Sequence, residues 1–153
     1  MSSVISDKLL DVLDHTKEGY SPVVDYATWR VALLNYSKDL LPENITAMQR
    51  HDETDEVFVL LRGRCILFIG EGDKKVTYIF AENMQPFKIY NVKKSVWHTH
   101  TLSRNAKVLI VENRNTTFDN SPFSSLTVSQ RAKITELTSE FRDEAAESKN
   151  RNG

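Results

Sequence analysis

Short runs rich in Val, Ile, Tyr, Phe, Trp and Thr fill the chain from residue 21 to residue 113, separated by brief polar breaks. Side chains of these types suit a pleated, half-buried surface, so the pattern predicts strands in succession. The segments are residues 23–26, 28–36, 56–61, 65–70, 75–81, 86–91, 95–102 and 106–112. Breaks such as Leu61-Arg62-Gly63-Arg64 and Glu71-Gly72-Asp73-Lys74 are hairpin connections in type. Many short strands at close spacing predict an all-β sandwich or barrel rather than βαβ units.

Helical spacing appears only on the flanks. Leu9, Leu10 and Leu13 predict a short N-terminal helix between Ser6 and Gly19, with Ser6 or Asp7 as its cap. His15, near the end of that segment, would complement the helix dipole as an imidazolium. Beyond Asn120-Ser121-Pro122, Thr127-Val128-Ser129-Gln130 has the form of a capping box. Ile134, Leu137, Phe141 and Ala145 then give a C-terminal amphipathic helix, expected to lie on the sheet or on a partner subunit. The polar residues 148–153 read as a frayed end. The chain thus divides into an N-terminal helical segment over 1–20, a β-barrel over 21–120, and a C-terminal helix and tail over 121–153.

Composition narrows the classes of partner. A chain of 153 residues has room for one hydrophobic core. Its 20 basic and 21 acidic side chains leave a net charge of −1, which gives no general attraction to nucleic acid or an anionic membrane. The single cysteine, Cys65, rules out an intrachain disulfide framework, and its apolar run marks it as a core residue. No secretory signal and no apolar run near the roughly 20 residues of a membrane span can be drawn. A cytoplasmic location is the expectation. There is also no Gly-rich phosphate loop, no Cys-x-x-Cys pair and no Gly-x-Ser-x-Gly elbow.

Candidate chemistry concentrates in the run from Gln49 to Gly63 and in Lys93-Lys94-Ser95-Val96-Trp97-His98-Thr99-His100. Here the sequence resembles the cupin superfamily over about residues 45–113. Cupins carry His-x-His, three or four residues, Glu, six residues, Gly. His51, Glu56 and Gly63 match the second half of that motif without a gap. A second motif, Pro-x-Gly-x-x-His, places its histidine at His98. The chain departs from the family at Gln49, where the first histidine would stand, and at Lys93 and Ser95, which replace the Pro and Gly. The resemblance implies a single cupin (jelly-roll) barrel, often paired across subunits, and therefore a homodimer. It leaves function open among dioxygenases, isomerases, lyases, sugar-binding modules and seed storage proteins.

Strand geometry adds its own argument. Residues i and i+2 share a face, so Gln49 and His51 project together, as do His98 and His100. A barrel that turns these faces inward gathers His51, Glu56 and His98 into a two-His-one-carboxylate set suited to Fe, Mn, Ni or Zn. Gln49 offers an amide oxygen, a weaker ligand than imidazole for such a metal. His100 has two readings of equal standing: part of the metal site, as a ligand or an orienting group, or a hydrogen-bonded barrel histidine. Trp97 alternates away from His98, which places it in packing on the opposite face. Asp52, Glu53 and Asp55 read as solvated residues. Phe58, Phe68 and Tyr90 are either cavity lining or core, and Arg30 and Lys93 are candidates for holding an anionic substrate. Two functions follow. One is a metal-dependent enzyme acting on a small polar molecule, with His100 as ligand or general base; the other is a non-catalytic ligand-binding or sensing barrel with a degenerate metal site.

Overall fold

The computed structural model describes residues 5–151, with side chains to residue 143. Its strands are β1 (Tyr20–Tyr26), β2 (Trp29–Asn35), β3 (Ala47–Gln49), β4 (Glu56–Arg62), β5 (Cys65–Glu71), β6 (Tyr78–Asn83), β7 (Ile89–Val92), β8 (Trp97–Leu102), β9 (Lys107–Asn113) and β10 (Phe123–Ser125). One helix, α1 (Val128–Arg151), follows. All eight predicted strands are present, some with shifted ends. Strand β6 starts at Tyr78 rather than residue 75, because Thr77 N–H donates to Glu71 O to close the hairpin and Val76 N–H donates to Ser124 Oγ at 3.0 Å. Strands β3 and β10 were not predicted. Each is three residues long and pairs with the other, so barrel strands continue past the expected boundary at residue 120.

The strands form two five-stranded sheets, ordered β1-β2-β9-β4-β7 and β10-β3-β8-β5-β6, with antiparallel pairing throughout. Strand β5 shows how the layers divide. Cys65 and Leu67 point between the sheets and join Phe58, Leu60, Val108 and Ile110 in the inner core. Ile66 and Phe68 point outward and join Met48, Trp97 and Ile134 beneath α1. Burial on both faces is why this strand reads as an unbroken apolar run.

Helix α1 lies on the sheet, with Ile134, Leu137 and Phe141 against the outer cluster. The side chain of Ala145, the fourth residue of the expected stripe, lies outside the described ones, as do residues 152 and 153. The capping box forms as predicted. Thr127 N–H donates to Gln130 Oε1 at 2.9 Å, and Gln130 N–H donates to Thr127 Oγ1 at 3.2 Å. No helix among the described residues is long and apolar enough to cross a membrane.

The expected N-terminal helix does not form. Ser6–Leu10 make one turn, through Leu9 and Leu10 N–H donating to Ser6 O, and no regular structure follows before β1. Leu9 and Val12 are 81% and 89% exposed. An isolated helix of this length is marginal in water, and no neighbouring surface buries its apolar stripe. Asn35 Nδ2 instead donates to His15 O and Lys17 O, tying the segment to the barrel as an irregular strap. His15 therefore has no helix terminus to complement; its Nε2 sits 3.2 Å from Gly19 O.

Candidate metal centre

Alternation along β8 places its side chains. Trp97 belongs to the outer cluster and Leu102 to the inner core, so His98 and His100, in phase with Leu102, face inward. Glu56 opens β4 in phase with the buried Phe58 and Leu60. His51 follows β3, whose Gln49 pairs with His98. The register thus carries three residues distant in sequence to one end of the barrel. Gly63, the motif glycine, turns the chain back toward β5 with φ +75°, and a Cβ there would lie 2.5 Å from Ala106 Cα. Ser95 occupies the other motif-glycine position and takes up the left-handed conformation itself, with φ +63°. That costs a non-glycine residue about 1–2 kcal/mol, and the bond from Ser95 N–H to His51 O at 2.8 Å holds it there.

His51 Nε2 and His98 Nε2 approach the same oxygen, Glu56 Oε2, at 2.9 and 2.8 Å. One ligand atom from each of the three residues fits within a 4.8 Å span, and all three side chains are buried. The far ring nitrogens decide the tautomers. His98 Nδ1 lies 3.0 Å from Val96 O, a carbonyl that only accepts, so Nδ1 carries a proton. His51 Nδ1 lies 2.7 Å from Ser121 Oγ, whose own hydrogen is donated to Asn120 Oδ1. Asn120 Oδ1 also accepts from Thr117 N–H, and His51 Nδ1 is thereby a donor as well. Each neutral imidazole then turns an Nε2 lone pair toward a carboxylate oxygen. Lone pairs facing one another at under 3 Å require a proton or a cation between them. The donor set fits a divalent transition metal.

Charge follows this geometry. Burial pushes the Glu56 carboxyl up, but the hydrogen bonds of the two imidazoles outweigh it and pull it down to about 2. Burial lowers the His51 imidazole, whereas the bond to Glu56 and its charge raise it further, for a net upward shift. In the metal-free protein the Glu56 contribution to stability is complete above 4.5 and is lost as pH falls through about 2. The His51 contribution is complete below 6.5 and is lost as pH rises through its raised value. Protons and metal compete for the same nitrogen, so the Tm gain on adding metal is expected to grow between about pH 6 and about pH 8. Calorimetric scans with and without zinc measure it; a gain independent of pH would contradict the arrangement.

The other candidate residues separate clearly. Gln49 and His100 line the same cleft, of about 1020 Å³, with the three converging residues. The amide nitrogen of Gln49 donates to Ser121 O at 3.1 Å. His100 stands outside the converging set. Its Nδ1 is buried without a partner among the described residues, and burial pushes the imidazole down to about 4, with His98 adding to the shift. Trp97 packs outward, as its alternation implies, donating Nε1–H to Gly72 O with the Arg50 guanidinium 4.5 Å from its ring centroid. Phe58 and Phe68 are core, and neither they nor Tyr90 line the cleft. Asp52, Glu53 and Asp55 do more than meet solvent: Asp52 forms an ion pair with Arg50, Glu53 accepts from the amides of Asn115 and Asn120, and Asp55 accepts from Asn91 Nδ2 and Lys94 N–H. Lys93 is exposed outside the cleft and pairs with Asp55 at 3.8 Å.

Three contributors escaped sequence reasoning. Ser121 is a loop residue brought to His51 only by the pairing of β10 with β3. Tyr20 donates its hydroxyl to Glu112 at 2.5 Å. Glu112 itself had a readable signal, because it shares the inward phase of Val108 and Ile110 on β9.

No protein-family model and no curated protein matches the chain. Solved structures do. CapF with the inhibitor 3-isopropenyl-tropolone aligns at TM-score 0.52 and 11% identity, covering 75% of this chain and 34% of that one. A Streptomyces PAC13 variant with uridine aligns at TM-score 0.50 and 6% identity, covering 78% and 87%. A cupin-2 domain protein from Shewanella frigidimarina aligns at TM-score 0.45 and 21% identity, covering 65% and 85%. The chain has the cupin fold. In this cupin fold the His51–Ser121–Asn120 chain is what pins one imidazole. Ser121→Ala removes the pin and is expected to lower zinc affinity about 10–100-fold with the fold intact. Competition with a chromophoric chelator measures this, and an unchanged affinity would dismiss the orienting role.

Proposed function

We propose that the protein is a metal-dependent enzyme acting on a small polar molecule held in the barrel. The observation that carries this reading is the pair of Nε2 lone pairs aimed at one Glu56 oxygen. His51, Glu56 and His98 would hold Fe, Mn, Ni or Zn, with Gln49 contributing an oxygen or a hydrogen bond. Bound there, such an ion supplies Lewis acidity to a ligand oxygen. Val96 and Ser121 keep the imidazoles in their metal-binding tautomer. Of the two site roles open to His100, its place outside the converging set favours proton acceptance over ligation. Held neutral by burial, it can accept a proton or a hydrogen bond at neutral pH. Oxygenation, isomerisation and lyase chemistry share this frame.

A second reading, a ligand-binding or sensing barrel, is favoured by Gln49, whose amide nitrogen is already engaged with Ser121. Elemental analysis of protein purified without added metal separates the two. Near-stoichiometric metal, unaffected by His100→Ala, is the expected result. Substoichiometric metal that Gln49→His does not rescue would favour the sensing barrel. A homodimer and a cytoplasmic location accompany the proposal. Light scattering tests the first, and a monomer mass would remove it. Cys65 is buried with its thiol pushed up to about 12, as suits a residue used for packing.

A further inference from the structure

Three charged side chains form a row across one sheet. Arg30 on β2 pairs with Glu112 on β9. Continuing the Val57↔Val111 register by one residue sets Glu112 beside Glu56 on β4. Adjacent like charges are unfavourable unless each is compensated. Glu56 has its two imidazoles. Glu112 has the Tyr20 hydroxyl at 2.5 Å and the Arg30 guanidinium at 3.9 Å, both at Oε1. Its Oε2 makes no hydrogen bond among the described residues, although the side chain is only 5% exposed and lines the cleft. The oxygen itself keeps access to the cleft, and an acceptor left open by the protein takes its partner from that side.

The charge around it selects that partner. Among the described residues lining the cleft, Glu56 is matched by its two imidazoles, which leaves Asp39 and Glu112 as carboxylates against Arg30, the one guanidinium or ammonium group. Arg30 is already committed to Asp25 through two nitrogens, at 2.8 and 3.3 Å. An anionic ligand, the expectation attached to Arg30 in the sequence, would meet a spent cation beside a carboxylate. The cleft wall also carries Phe118 and Phe123, 81% and 57% exposed, with ring centroids 6.1 Å apart and planes inclined by 31°. Two exposed aromatic faces at the edge of a polar cleft offer a planar apolar group a surface to cover.

We propose that Glu112, set by Tyr20 and Arg30, is a recognition residue that binds the ammonium or hydroxyl donor of a small ligand whose planar apolar part rests on Phe118 and Phe123. The inference rests on reading the cleft as a small-molecule site and does not depend on which metal is held. Benzylamine, benzyl alcohol and benzoate test it, since they present one ring with a cation, a neutral donor or an anion. Each is titrated into the full chain, after dialysis against a chelator and again with zinc added, and followed by amide chemical shifts. Without metal the expected order of affinity is benzylamine, benzyl alcohol, benzoate; with zinc, a benzoate carboxylate gains a ligand position on the ion, so the order is read in the metal-free titration. Glu112→Gln should weaken benzylamine about 10-fold, the size of a charge-assisted hydrogen bond, and leave benzoate no weaker. Tyr20→Phe, which frees the carboxylate to turn, should weaken benzylamine less than Glu112→Gln does. Phe118→Ala and Phe123→Ala should weaken all three probes alike. In the metal-free titration, benzoate binding as tightly as benzylamine, equal losses for both in Glu112→Gln, or no shifts at millimolar probe would each overturn the proposal. Loss of zinc binding with the benzylamine preference retained would defeat the metal reading alone. Zinc binding with no preference among the probes would defeat this inference alone.

Discussion

Glu56→Ala is expected to abolish metal retention. The substitution removes the one carboxylate in the converging set and the oxygen at which both imidazoles aim. Removing an outer partner of a metal ligand costs about 10–100-fold in affinity, so loss of a ligand that also carries the charge should exceed that range. The fold should survive. Without Glu56 the two imidazoles stay neutral, each keeping its Nδ1 bond to Ser121 or Val96, so no unpaired buried charge is left behind. Glu56→Gln keeps an oxygen but not the charge and is expected to fall between Ala and the natural residue. Equilibrium dialysis against zinc and manganese, with near-ultraviolet circular dichroism as the fold check, measures both. Retention of stoichiometric metal by Glu56→Ala would remove His51, Glu56 and His98 as the metal set.

Phe58→Ala is expected to destabilise the protein by about 3–5 kcal/mol, the usual cost of deleting a large buried aromatic side chain. Phe58 is 1% exposed in the inner core, with its ring centroid 5.8 Å from that of His98 and 5.7 Å from that of His100. The cavity would open beneath both histidines, so metal affinity should fall along with stability. Urea unfolding measures the first quantity and dialysis the second. Tyr26→Ala, at an exposed ring, serves as the contrast and should stay within about 0.5 kcal/mol. A loss below about 1 kcal/mol for Phe58→Ala would show that the inner core repacks around the gap.

The legible part of the site is the part written in strand phase. Glu56 with Phe58 and Leu60, and His98 with His100 and Leu102, can be placed on one face because the side-chain period of a strand is two. Glu112 with Val108 and Ile110 obeys the same rule, yet one glutamate at the end of an alternating strand looks like any surface residue. Leu9, Leu10 and Leu13 show the opposite failure. Their spacing specifies a helical face, but a helix of that length needs a surface to bury it, and the barrel provides none.

By itself, the sequence determined eight of the ten strands, the apolar phase along them, and that His51, Glu56 and His98 stand at ligand spacing. Only the tertiary structure decided that β10 pairs with β3, bringing Ser121 to His51 across a chain separation of 70 positions. It alone decided that Arg30, Glu112 and Glu56 line up across three strands. The physical reason is that side-chain phase is a local property of a strand. The choice of neighbour, and with it the partner of each buried polar atom, is a property of the whole barrel.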